Sequence, residues 1–220
     1  DLHILFPTPV YQNVLDFRPS ELKSMLDFMS ELEWAPDRDI VNRLNGETTK
    51  LEADLLIRPE LKELEKKITE EVHNYAKMLQ IDLTKHGLKR INSWGNLQRK
   101  GNYIAEHRHN NTQFAGVFYL QTPEDSGDIV FSTRNATWIT SHWEPSVTGY
   151  DDLNSFEKRF EPQECGIFLF PAHLDHYVTP SNSNLERYSI SFNYNLDGKF
   201  FGDCNNPVSY THLRAHETET

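Results

Sequence analysis

Arg187-Tyr-Ser-Ile-Ser-Phe-Asn-Tyr-Asn195 alternates polar and apolar side chains at every position. Successive side chains of a β-strand point to opposite faces. Arg187, Ser189, Ser191, Asn193 and Asn195 therefore share one face, and Tyr188, Ile190, Phe192 and Tyr194 share the other. Two architectures accommodate such a strand. In a half-buried sheet the polar face meets water. In a jelly roll with a wet cavity the polar face lines the cavity and the apolar face packs beneath helices. The first 90 residues supply the helices. Pro19 and Ser20 open one, with Leu22, Met25, Leu26, Met29 and Leu32 at helical spacing. Another starts at Pro59, with Leu61, Leu64, Ile68, Val72, Tyr75 and Leu79 on one face and Glu and Lys on the other. Both need an apolar sheet face to cover, which favours the cavity reading.

The alternating period extends well beyond this strand. Strands are expected over 91–99, 103–109, 114–121, 128–132, 166–170 and 176–179, as well as 187–195. Turn signals separate them at Lys100-Gly101, Asn110-Asn111, 123–127 and 180–184. Many short strands joined by turns imply a sandwich, barrel or jelly roll. Residues 2–11 read as an edge strand broken by Pro7 and Pro9, and Asn45-Gly46 as a turn in a polar stretch. The stretch 133–163, with Trp138, Trp143, Tyr150 and Phe156, is too long for a plain connector and reads as an insertion.

Composition removes several classes. The chain has 220 residues, 22 basic against 33 acidic, for a net charge of −11. So acidic a surface repels a phosphate backbone, and no nucleic-acid partner is expected. No apolar run approaches the roughly 18–20 residues of a membrane span, and no secretory signal opens the chain. Two cysteines, Cys165 and Cys204, make no disulfide scaffold and suit a reducing cytoplasm.

His107-Arg108-His109 places two imidazoles at i and i+2, on one face of a strand, where both can reach a single metal. A second feature, Gly166-Ile-Phe-Leu-Phe-Pro-Ala-His-Leu-Asp-His-Tyr-Val178, is an apolar strand, a turn at Pro171 and a new strand opened by His176. His107 and His176 lie 69 residues apart, and Arg187 follows His176 by 11. His3, His73 and His86 read as packed or solvated, His173 as a turn residue, and His142 has no assigned role.

This constellation resembles the Fe(II)/2-oxoglutarate-dependent oxygenases. Gly101 is similar to the glycine ahead of the iron motif in prolyl-hydroxylase-type members. Phe118-Tyr119-Leu120 resembles their strand whose tyrosine joins the arginine at 2-oxoglutarate, and Arg187-Tyr188-Ser189 resembles an Arg-x-Ser pair used for the same carboxylate. Leu5-Phe-Pro-Thr-Pro-Val10, Ser93-Trp94, the His-x-His and Phe170-Pro171 are together most similar to a poorly characterised group of bacterial and phage-associated oxygenases. The resemblance implies an α+β fold: a double-stranded β-helix, or jelly roll, with the N-terminal amphipathic helices on its major sheet. Residues 1–206 would form one oxygenase domain, with 1–90 as helical support, 91–200 as the β-helix core and 133–163 inserted. It implies Fe(II) held by His107, His109 and His176, with 2-oxoglutarate held by Arg187, Ser189 and Tyr119. O2 would then oxidise an unidentified peptide or small molecule with release of succinate and CO2.

Neutral imidazoles hold a first-row divalent ion and leave adjacent positions open. An arginine fork matches a carboxylate bidentately, where lysine offers only a point charge. The departure is His109, where the superfamily usually carries Asp or Glu. Glu106 and Asp175 are the nearby carboxylates, each adjacent in sequence to a proposed ligand and so expected to face away. Two other readings stand beside the oxygenase: a cupin-like three-His dioxygenase that uses no 2-oxoglutarate, and a non-enzymatic β-barrel module, such as a phage component, with incidental histidines. At the ends, Asp1 in place of Met suggests a fragment. Residues 208–218 resemble a translated sequencing-library adapter, so 207–220 are expected to be a non-native tail without function.

Overall fold

Twelve strands and two helices make up the computed structural model, which describes residues 6–36, 44–49, 54–133, 148–149, 151–152 and 154–198. In chain order they are β1 (Tyr11–Val14), α1 (Pro19–Ser30), β2 (Trp34–Pro36), β3 (Leu44–Asn45), β4 (Glu47–Thr49), α2 (Lys62–Met78), β5 (Gly87–Gln98) and β6 (Tyr103–His107). β7 (Phe114–Gln121), β8 (Ile129–Ser132), β9 (Glu157–Phe160), β10 (Gly166–Pro171), β11 (Asp175–Val178) and β12 (Arg187–Asp197) follow. Two sheets form. The major one runs β1-β10-β7-β12-β5-β4-β2 and the minor one β3-β6-β11-β8-β9, with every neighbouring pair antiparallel. This is the double-stranded β-helix expected from the sequence, with helices on the major sheet.

Strand parity divides the apolar residues between two cores. From β7, Phe114, Phe118 and Leu120 point to the helices; Ala115, Val117 and Tyr119 point into the space between the sheets. From β10, Ile167 and Leu169 go to the helix side, and Phe168 and Phe170 go inside. The apolar face of β12, with Tyr188, Ile190, Phe192 and Tyr194, meets Met25 and Met29 of α1 and Leu64, Ile68 and Val72 of α2 in the helix-side core. Each of these fully buried aliphatic side chains contributes about 1.5–3 kcal/mol relative to exposure. The opposite face of β12 is polar yet buried, through Arg187, Ser189 and Asn193. These three residues thus line an interior, while Ser191 and Asn195 of the same face stay partly exposed.

Both helices lie where their periodicity predicts. Pro19 begins α1, where its missing N–H costs nothing, and the Glu21 carboxylate accepts the Arg18 backbone N–H at 2.8 Å. A 3-10 turn over Pro59–Leu61 leads into α2. Asn45-Gly46 is a crossover: β3 pairs with β6 in the minor sheet and β4 with β5 in the major one, so the chain passes between sheets at Gly46.

Three expected boundaries move. The first strand begins at Tyr11, beyond Pro9, because a proline cannot donate to a ladder; residues 1–5 lie outside the described ones. The strand expected over 103–109 stops at His107, and the chain turns away through Asn111 at φ +61°. Residues 157–160, inside the stretch read as an insertion, form β9 and pair with β8. Trp138, His142, Trp143, Tyr150, Cys204 and the tail 207–220 lie outside the described residues. No helix among the described residues is long and apolar enough to cross a membrane.

Candidate metal and cosubstrate site

His107 and His176 are directly paired across β6 and β11. Their ring centroids are 4.3 Å apart. His109, two residues past the end of β6, is held there by its backbone N–H, which donates to Ala172 O at 2.9 Å. Its ring lies 5.4 Å from that of His107 and 5.2 Å from that of His176. One ligand nitrogen from each ring lies within 4.8 Å of the other two. The expected pairing of His107 and His109 on one side is therefore present, though His109 reaches the cluster from the segment after the strand.

The second nitrogen of each ring shows which edge faces inward. His107 Nδ1 lies 2.9 Å from Ala105 O, and His176 Nδ1 lies 2.9 Å from Leu174 O. A carbonyl can only accept, so both Nδ1 atoms carry the proton and donate. Nε2 of each ring then carries the lone pair. His109 Nδ1 lies 2.6 Å from Asn193 Oδ1. Burial lowers the pKa of His109, and lowers that of His176 well below the usual histidine range, with the neighbouring imidazoles adding to the second shift. Both effects keep the rings neutral, the form that binds metal. This donor set fits a first-row divalent ion such as Fe(II).

Neither nearby carboxylate joins the cluster. Glu106 accepts from Ser132 Oγ at 2.7 Å, and Asp175 pairs with Arg108 at 3.3 Å. His173 is exposed in its turn. Aromatic rings wall the cluster: Phe170 lies edge-on to His176 at 4.7 Å and Trp94 lies 5.8 Å from His109. The indole N–H of Trp94 donates to Asn96 Oδ1 at 3.1 Å, which fixes the ring plane.

Arg187 opens β12 and is 1% exposed. Its Nη1 donates to Gly127 O at 2.7 Å, and its guanidinium carbon lies 5.6 Å from the centre of the Tyr119 ring. Nε has no hydrogen-bond partner, and no carboxylate among the described residues forms an ion pair with this cation. Burial lowers its pKa. Ser189 pairs in register with Tyr119, so Arg187, Ser189 and Tyr119 gather on the inner face. Burial pushes the Tyr119 hydroxyl up to about 12, which keeps it a donor at neutral pH.

Residues 92–193 match the family described as "Putative 2OG-Fe(II) oxygenase". Over this segment the chain is similar to the 2OG-Fe(II) oxygenases. The matched segment spans the three histidines and Arg187. Solved oxygenase structures share the fold. A 2OG-Fe(II) oxygenase-family oxidoreductase from Burkholderia pseudomallei is 16% identical with a TM-score of 0.56, over 84% of each chain. A Pseudomonas putida prolyl-4-hydroxylase is 14% identical with a TM-score of 0.56, over 88% of this chain and 94% of its own. HygX from Streptomyces hygroscopicus, solved with nickel, 2-oxoglutarate and hygromycin B bound, is 11% identical with a TM-score of 0.56, over 88% of this chain and 84% of its own. No curated protein sequence matches. This match favours the oxygenase over the cupin-like enzyme without 2-oxoglutarate and over the non-enzymatic module.

Sequence reasoning missed two residues of this candidate site. Parity puts Asn193 on the polar face of β12, and only the fold shows that this face brings it to His109. Gly127 reads from the sequence only as a turn residue, although its carbonyl accepts from Arg187 Nη1.

Proposed function

We propose that the protein is an Fe(II)/2-oxoglutarate-dependent hydroxylase acting on a peptide or small molecule. His107, His109 and His176 would hold Fe(II) through Nε2. Arg187, with Ser189 and Tyr119, would hold the C5 carboxylate of 2-oxoglutarate. Bound Fe(II) would supply the activation of O2, with one oxygen atom going to succinate as 2-oxoglutarate loses CO2 and the other to the hydroxylated substrate.

One observation carries this reading. Arg187 is a buried cation with an unsatisfied Nε–H and no carboxylate ion pair among the described residues. A buried guanidinium left in that state is costly, and an incoming carboxylate removes the cost by completing the fork. Ring contacts from Tyr119 through Phe168 and Phe131 connect it to a cluster of three imidazoles, two of whose Nδ1 atoms face backbone carbonyls. The remaining residues supply orientation: Tyr119 presents a hydroxyl that stays protonated, and the Phe131–Phe170 pair, 4.9 Å apart, keeps apolar bulk on the inner side of the cluster.

The test is an anaerobic calorimetric titration of Fe(II)-loaded protein with 2-oxoglutarate, followed by succinate measurement in air. Saturable binding that requires Fe(II), with succinate formation lost in His176→Ala, supports the assignment. Fe(II) binding without any 2-oxoglutarate binding would sink it.

A further inference from the structure

His109 is the one cluster histidine whose second nitrogen faces a side chain and not a backbone carbonyl. That side chain, Asn193, is 6% exposed. Its Oδ1 lies 2.6 Å from His109 Nδ1, and its Nδ2 donates to Asn92 Oδ1 at 2.8 Å. Asn92 and Asn193 face each other in the β5–β12 register, so the backbone sets their contact. A carboxamide has one accepting end and one donating end, and two amides in series share a direction. With Asn92 accepting, Asn193 must turn Oδ1 to His109, and the imidazole proton sits on Nδ1. With both amides reversed, Asn193 would donate to His109 Nδ1, the proton would move to Nε2, and the metal-facing lone pair would be lost.

We infer that Asn92 and Asn193 form a positioning relay that holds His109 in its metal-binding tautomer. The inference rests on the reading of His109 as a metal ligand. It assigns to a neutral amide pair the orienting role that ligating histidines commonly give to a carboxylate or backbone carbonyl. The neutrality matters in a site whose three protein ligands bring no negative charge. The relay also explains why His109 needs no strand of its own: its ring is aimed from β12, while Ala172 O holds its backbone.

Three variants separate a relay from simple packing. Asn193→Leu keeps bulk but removes the acceptor, and outer-shell losses of this kind cost about 10-fold to 100-fold in metal affinity. Asn92→Asp can only accept and so locks the wild-type direction, while Asn193→Asp still accepts from His109 with the Asn92 amide turned to donate to it. Two readouts are used: histidine ring 15N NMR of the metal-free protein, which reports the tautomer, and anaerobic Fe(II) calorimetry. The relay predicts a His109 proton on Nδ1 in wild type and in both Asp variants. It predicts Fe(II) affinity at least as high as wild type in both Asp variants, and a loss in Asn193→Leu. A proton on Nε2 in metal-free wild type overturns it, as does wild-type Fe(II) affinity in Asn193→Leu when His109→Ala has lost the metal. Wild-type affinity in His109→Ala itself overturns the metal reading, and the relay with it.

Discussion

Arg187 sits over Tyr119, its guanidinium carbon 5.6 Å from the ring centre, while the same guanidinium is pinned to the carbonyl of Gly127 at 2.7 Å. The cation therefore has a fixed plane before any ligand arrives. A preorganised fork loses little freedom when a carboxylate docks, which is the condition for tight and selective binding. Replacing Arg187 with Leu removes a charge-assisted contact worth about 1.5–3 kcal/mol, so 2-oxoglutarate should bind roughly 10-fold to 150-fold more weakly. Calorimetry on the Fe(II)-loaded variant measures this. Iron affinity should stay as it was, because the histidines stand on β6, on β11 and in the segment after β6. Unchanged cosubstrate binding would remove Arg187 from the site.

Gly127 should be as sensitive as Arg187 itself. It adopts φ +93°, and a Cβ there would lie 2.4 Å from Thr179 O, a backbone atom that cannot move aside cheaply. Gly127→Ala is expected to destabilise the fold and to shift the carbonyl that holds Arg187. Thermal melting should show the first effect, and a weakened response to added 2-oxoglutarate the second. A variant that melts lower but binds 2-oxoglutarate as wild type does would show that the carbonyl is not part of the cosubstrate site.

Acid should unfold the metal-free protein through its histidines. His109 and His176 have lowered pKa values against a reference of 6.5, so below that pH the unfolded chain binds protons that the native state refuses. Stability then falls as pH falls, by at most about 1.4 kcal/mol per pH unit for each group. Above pH 7 both rings are neutral in both states and the dependence vanishes. Melting temperature measured from pH 8 to pH 5 should be flat at first and then decline. In His109→Gln/His176→Gln the decline should be shallower, and an identical slope in that variant would refute the assignment.

His107→Ala should lose Fe(II) binding and keep the fold. His107 is only partly buried and belongs to neither apolar core, so its removal exposes no large cavity. Far-UV circular dichroism and an anaerobic iron titration report the two halves of this expectation. Retained iron binding would mean that another donor completes the site.

Much of this architecture is written in side-chain parity. The alternation of Phe114 to Leu120 and of Ile167 to Phe170 sorts residues between two cores, and that of Tyr188 to Tyr194 sorts apolar residues to the helix-side core and polar ones to the opposite face. The strands that escaped detection lack that signal. Glu157-Lys-Arg-Phe160 exposes its first three residues, and two- or three-residue strands such as Leu44–Asn45 and Trp34–Pro36 are too short to show a period. The histidines were legible from spacing. Asn193 was not, because a polar residue facing a site and one facing water look alike until its partner across 84 positions is known.

The order of the major sheet bears on how the protein is made. β12 lies between β5 and β7, yet it follows both in sequence, separated from its β5 partners by roughly a hundred residues of chain. A nascent polypeptide halted on the ribosome before Arg187 would present two open strand edges, one on each side of an empty slot. Such edges invite pairing with other chains, so this intermediate is a target for chaperones and a source of aggregates. The strand that fills the slot carries Arg187, Ser189 and Asn193. Synthesis of this last strand therefore closes the open edges and adds these polar side chains at the same moment.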